Sequence, residues 1–106
     1  MVNIQQLSKE LKQSLTELYG EKLADLILFG SYARGDFHGE SDMDFMVVLR
    51  DNDIKFGEEI IRMGDISNNI ALKYNISISA KPTTLQKIQH SDLFFYKNIR
   101  KDGIKI

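Results

Sequence analysis

Most of the residues that could do chemistry lie in one segment, LFGSYARGDFHGESDMDFMVVL, between Leu28 and Leu49. An apolar run ends at Gly30-Ser31, ten residues follow, and Asp42-Met43-Asp44 opens a second apolar run. A glycine at the end of a strand lets a ligand approach the backbone closely. Ser31 adds a hydroxyl and an amide, and a helix starting there would aim further unpaired N–H groups at the same spot, an arrangement that favours phosphate. Asp42 and Asp44 are two apart on a strand, so their carboxylates project from one face. Adjacent carboxylates repel, and a hard divalent cation relieves the repulsion. Mg²⁺ is bound in this way, by one or two carboxylates with substrate phosphates and water. The plainer alternatives are a strand-ending turn at Gly30-Ser31 and two solvated acids. An acid embedded in DMDFMVVL argues against them, because burying it is costly unless it faces solvent or a cation.

Other polar residues carry less. Arg34 lies one helical turn after Ser31 and could reach a triphosphate; a surface ion pair with Asp36 is the competing reading. Tyr32 reads as core or rim packing. His38 and His90 have no second ligand at metal spacing and read as surface residues, and Lys73, Lys81 and Lys87 as solvated. The FFY at Phe94–Tyr96 reads as core rather than a base-stacking platform, with part of it available to a partner.

The elements that must position these groups follow from hydrophobic periodicity. Ile4, Leu7, Leu11, Leu15 and Leu18 make one stripe of a helix from about Asn3 to Tyr19, stopped by Gly20. Leu23–Phe29 and Met43–Leu49 read as strands, with a short helix at Ser31–Arg34 and a loop from Gly35 to Ser41. Phe56, Ile60, Met63, Ile70 and Tyr74 mark a second long helix from about Asp53, weakened by Gly57 and Gly64. Ile76 and Ile78 alternate with Ser77 and Ser79 as a third strand, closed by Pro82. Thr84 and Ser91 are candidate caps of two short helices, the second stopping at Gly103. The alternation predicts an α/β fold, a small mixed β-sheet flanked by helices, as a single domain over residues 1–106.

Composition narrows the classes of function. A chain of 106 residues has no room for a separate substrate domain. A net charge of −1 gives no basic field, so generic nucleic-acid binding is not indicated. The absence of cysteine removes disulfides and thiol chemistry and fits the cytoplasm. The polar start MVNIQQLSKELKQ is unlike a signal peptide, and no apolar run approaches the roughly 20 residues of a membrane span.

The segment resembles the signature of the DNA polymerase beta-like nucleotidyltransferase superfamily: an apolar residue, Gly-Ser, about ten residues, then Asp-x-Asp among apolar residues. Small size and the wording GSYARGD resemble its minimal nucleotidyltransferases, often encoded beside a HEPN-domain protein as a toxin–antitoxin pair. The resemblance implies the nucleotidyltransferase fold and in-line transfer of a nucleotidyl group from a nucleoside triphosphate, with ATP the expected substrate. Gly30, Ser31 and Arg34 would bind nucleotide, and Asp42 and Asp44 would be the catalytic residues that hold Mg²⁺. The implied acceptor is a hydroxyl on a HEPN partner.

One departure from the family pattern stands out. Active members carry a third carboxylate on a later strand, where this chain offers Ser77 or Ser79, and serine cannot act as an anionic ligand or base. Glu58, Glu59 and Asp65 on the preceding helix are candidate substitutes. The departure keeps open an antitoxin that binds nucleotide and neutralises its partner by contact alone. A third class, transfer to a small molecule or an RNA end, is disfavoured by length.

Overall fold

The computed structural model describes residues 2–106. Helix α1 (Ile4–Tyr19) is capped by Asn3, whose side-chain oxygen accepts from the Gln6 amide at 3.0 Å. It ends at Gly20, where φ is +59° and ψ −131°, a positive-φ conformation that suits glycine. A single 3-10 turn, Gly20–Lys22, leads into strand β1 (Leu23–Phe29). The short helix α2 (Ser31–Arg34) precedes β2 (Met43–Leu49), and α3 (Phe56–Tyr74) links β2 to β3 (Ile78–Thr84). Helices α4 (Leu85–His90) and α5 (Phe94–Asp102) and a two-residue strand β4 (Ile104–Lys105) complete the chain.

The sheet runs in the order β3-β2-β1-β4. β1 is antiparallel to β2 and β4, while β2 and β3 are parallel, so the sheet is mixed as expected. Parallel neighbours need a long crossover, and α3 supplies it.

Side chains alternate across a strand, and β2 uses both faces. Met43, Phe45, Val47 and Leu49 pack with Leu26 and Leu28 of β1 against Leu7, Leu11 and Leu15 of α1 and Met63 and Ile70 of α3. Met46 and Val48 point the other way and pack with Ile27 of β1, Ile88 of α4 and Ile99 of α5. Asp44 belongs to this second face by parity. Among the described residues no helix is long and apolar enough to cross a membrane.

Several expectations are corrected. α3 begins at Phe56 rather than Asp53, and Phe56 is exposed instead of joining the stripe. Leu18 likewise falls outside the buried face of α1. Pro82 does not close the third strand but lies inside it, opposite Val47. β3 is an edge strand, where a residue with no N–H to donate is tolerated. Thr84 caps α4 through the Lys87 amide at 3.2 Å, but α5 is preceded by Leu93 rather than capped by Ser91. Phe94 is 78% exposed, so the FFY run is only partly core. β4 has no counterpart in the sequence reading.

Candidate functional site

The site is built where β1 ends and β2 begins. Phe29, the last residue of β1, lies opposite Asp44, so the turn that follows β1 is carried to that carboxylate. Gly30 makes the turn with φ +76° and ψ −153°, a region open essentially to glycine alone. A Cβ on Gly30 would stand 2.5 Å from Asp44 Oδ2. The backbone therefore closes on the carboxylate to a distance no side chain could share.

Beyond Gly30 the chain coils immediately. The amides of Ala33 and Arg34 both donate to the Gly30 carbonyl at 3.1 Å, and that of Gly35 to the Ser31 carbonyl at 2.9 Å. Ser31 and Tyr32 open the coil, so their amides have no intrahelical acceptor. The Tyr32 ring stacks on Phe37, with centroids 4.2 Å apart and planes 7° from parallel, which fixes the outgoing loop. Tyr32 thus has the rim-packing place expected for it. His38 is occupied within that loop, its Nδ1 accepting from the Glu40 amide at 3.2 Å.

Asp42 is exposed at the mouth of β2 and Asp44 is half-buried one pleat further in. Between them Met43 is fully buried in the opposite layer, which sets both acids on one side. Burial pushes the Asp44 carboxyl above the usual aspartate range; Lys81 opposes this, Asp42 adds to it by like charge, and Arg34 opposes it. Arg34 itself is paired with Asp36 at 3.1 Å, the ion pair that competed with a ligand role.

On the other flank of Asp44 lies Ser79, its register partner on β3. Ser77 precedes the strand and its carbonyl accepts from the Met43 amide at 2.9 Å. No acid occupies this flank, and among the described residues no three His, Cys, Asp or Glu side chains are grouped to hold a metal. The helix acids do not substitute. α3 packs on the layer opposite Asp44. There Glu59 is buried, accepting from the Tyr19 hydroxyl at 2.8 Å and pairing with Arg62 at 3.3 Å. That bond and burial push the Tyr19 phenol well above its ordinary value, burial contributing most. Glu58 pairs with Lys55 at 3.8 Å, and Asp65 is exposed on the same helix.

Asp42 is open to solvent and Asp44 partly so. A cavity of about 1040 Å³ lies between α1 and the chain's last residues, lined by Ser8, Lys12, Leu28, Tyr32, Ile104 and Ile106. Leu28 belongs to the α1 layer, so this cavity and Asp44 are on opposite sides of the sheet. The sequence reading missed one charged neighbour, Lys81, which acts on Asp44 across the strands. The period-two spacing of Ser79 and Lys81 was its only sequence signal.

A strand-ending glycine turn seated on a carboxylate pair, in a mixed sheet with helices on both faces, is the arrangement of the nucleotidyltransferase fold. Residues 8–106 match the family described as "Nucleotidyltransferase domain", and the chain belongs to that family. It is 38% identical over 79 residues to "Putative protein adenylyltransferase MJ0141" of Methanocaldococcus jannaschii, covering 74% of this chain and 77% of that one. It is 31% identical over 109 residues to "Putative protein adenylyltransferase MJ0604" of the same organism, covering 96% of each. In structure it is similar to a toxin–antitoxin crystallised with AMP-PNP, at a TM-score of 0.60 and 19% identity over 90% of this chain and 68% of that one. It is also similar to a mutant of the toxin–antitoxin MntA-HpeT, at 0.63 and 19% over 100% and 72%. These two likenesses are of fold.

Proposed function

We propose that the chain, acting as one domain in the cytoplasm, is a Mg²⁺-dependent nucleotidyltransferase. It moves AMP from ATP to a hydroxyl on a partner protein, and that partner is the HEPN toxin of a toxin–antitoxin pair. The observation that carries the reading is the approach of the Gly30 turn to the Asp44 carboxylate, with Asp42 beside it. The two curated relatives are named as adenylyltransferases of protein, and both structural neighbours are toxin–antitoxin proteins.

The residues fit one divalent cation. Two carboxylates share a face, one of them half-buried, and their mutual repulsion falls when a cation binds. Asp42 and Asp44 would hold it, and when bound it neutralises charge on the phosphates. Ser31 and the free amides of the turn hold the terminal phosphates. Arg34, exposed beside them, reaches the triphosphate by exchanging Asp36 for phosphate.

A second reading rests on Ser79. With serine rather than an acid beside Asp44, the family's acceptor-side base is absent, which favours a nucleotide-binding antitoxin that acts by contact. Incubation with the partner, labelled ATP and Mg²⁺ separates the two. Label on the partner that disappears in Asp42→Asn/Asp44→Asn supports transfer. Neutralisation of the partner without label supports contact alone. Calorimetry should show the double variant binding Mg·ATP at least tenfold more weakly, about 1.4 kcal/mol, and unchanged affinity in a folded double variant would remove the pair from the site.

A further inference from the structure

β3 presents Ser79, Lys81 and Thr83 to the Asp44 face. Their register partners on β2 are Asp44, Met46 and Val48. Thr83 verifies the parity: it is buried, and its hydroxyl bonds that of Tyr96 of α5 at 2.8 Å. Lys81 is exposed, and among the described residues it belongs to none of the ion pairs. Arg34 acts on Asp44 as well, but it is attached to Asp36. The β3 flank of the carboxylates therefore lacks an anion and carries an unpaired cation.

Ser79 and Lys81 make sense together. An acid at position 79 would lie beside Asp44 and offer Lys81, two residues along the same face, a carboxylate partner. A neutral residue there leaves the ammonium available. The flank matters too. The Gly30 turn approaches Asp44 from β1 and Lys81 approaches from β3, so an anion seated on the carboxylates by a metal has its terminal phosphates on one side and Lys81 on the other.

We propose that Lys81 binds the α-phosphate of the nucleotide, as a fixed cation in the place that an acceptor-side metal takes in a three-carboxylate site, and that the site holds a single divalent cation per nucleotide. The inference rests on the nucleotidyltransferase reading above. A lysine ammonium is a compact point charge with three donors, suited to a phosphate whose orientation is set by other groups.

The test is calorimetry with a non-hydrolysable ATP analogue and with AMP in Mg²⁺, alongside counting of bound Mn²⁺ by electron paramagnetic resonance with the analogue present. Lys81→Met is expected to weaken the analogue and AMP alike, by about tenfold, on the scale of one charge-assisted hydrogen bond. Lys81→Arg should keep most of the affinity, and Lys87→Met, an exposed lysine of α4, should change neither ligand. The wild type should bind one Mn²⁺ per analogue and Ser79→Asp two. Unchanged affinities in folded Lys81→Met, or two Mn²⁺ in the wild type, would overturn the inference and leave the nucleotidyltransferase reading standing. A wild type that binds no analogue at all would overturn both.

Discussion

The two faces of this sheet are made by the same strands and have opposite characters. On the α1 and α3 side, β2 contributes Met43, Phe45, Val47 and Leu49, all buried. On the other side the same strand contributes Met46 and Val48, closed over by α4 and α5, and then Asp44, which is left half open. A period of two lets adjacent residues serve different ends, one holding the fold and the next holding charge. The packed face is where stability resides, and the open end of the other face is where stability is given up.

Phe45 and Asp44 are the sharpest way to break that comparison. Phe45→Ala removes the largest fully buried side chain and should cost about 3–5 kcal/mol, measured by urea unfolding. Asp44→Asn should act in the opposite sense. Burial, with Asp42 adding to it, raises the folded-state value of this carboxyl. The native state then keeps its proton longer than the unfolded chain, so stability falls as pH rises from the ordinary carboxylate value through the raised one. The penalty is complete once the pH has passed the raised value. Asp44→Asn should therefore melt higher than the wild type at pH 7, with the difference fading below the usual aspartate range. Equal or lower melting at pH 7 would mean the open face is not under electrostatic strain.

Gly30→Ala tests the junction of the two regions. The strained backbone should cost about 1–3 kcal/mol of stability. The added Cβ, 2.5 Å from Asp44 Oδ2, should displace the carboxylate and weaken Mg·ATP more than the loss of fold alone accounts for. An alanine variant with wild-type Mg·ATP affinity would show that the turn and the acid are independent. The smallest effect belongs to Ser31→Ala, roughly 0.5–1.5 kcal/mol on ATP affinity, the worth of one hydrogen bond. AMP affinity should change much less, and equal losses would place the hydroxyl away from the terminal phosphates.

How much of this was legible beforehand depended on whether the signal was local. The bounds of β1 and β2, the span of α1 and its Gly20 stop come from periodicity and from residues whose backbone chemistry is specific. The Gly30 turn and the two acids at the start of β2 were visible for the same reason. Pro82 was misread because its tolerance depends on β3 being an edge strand, a fact of sheet order. Glu59 looked free because its partner, Tyr19, lies 40 residues away on another helix. β4 is two residues long and is defined only by pairing with Ile27 and Leu28. Lys81 reads as merely solvated in the sequence because its neighbour Asp44 is reached across strands, not along the chain.

The edge position of β3 has a consequence for how these molecules meet one another. A sheet grows by strand addition when its border offers a run of free amides and carbonyls. One border here contains Pro82, which has no amide, beside a charged Lys81; the other is the two-residue β4. The β3 border therefore offers no uninterrupted run of amides on which a foreign strand could align, and edge-to-edge aggregation is discouraged there, while β4 covers only the Ile27–Leu28 part of the β1 border.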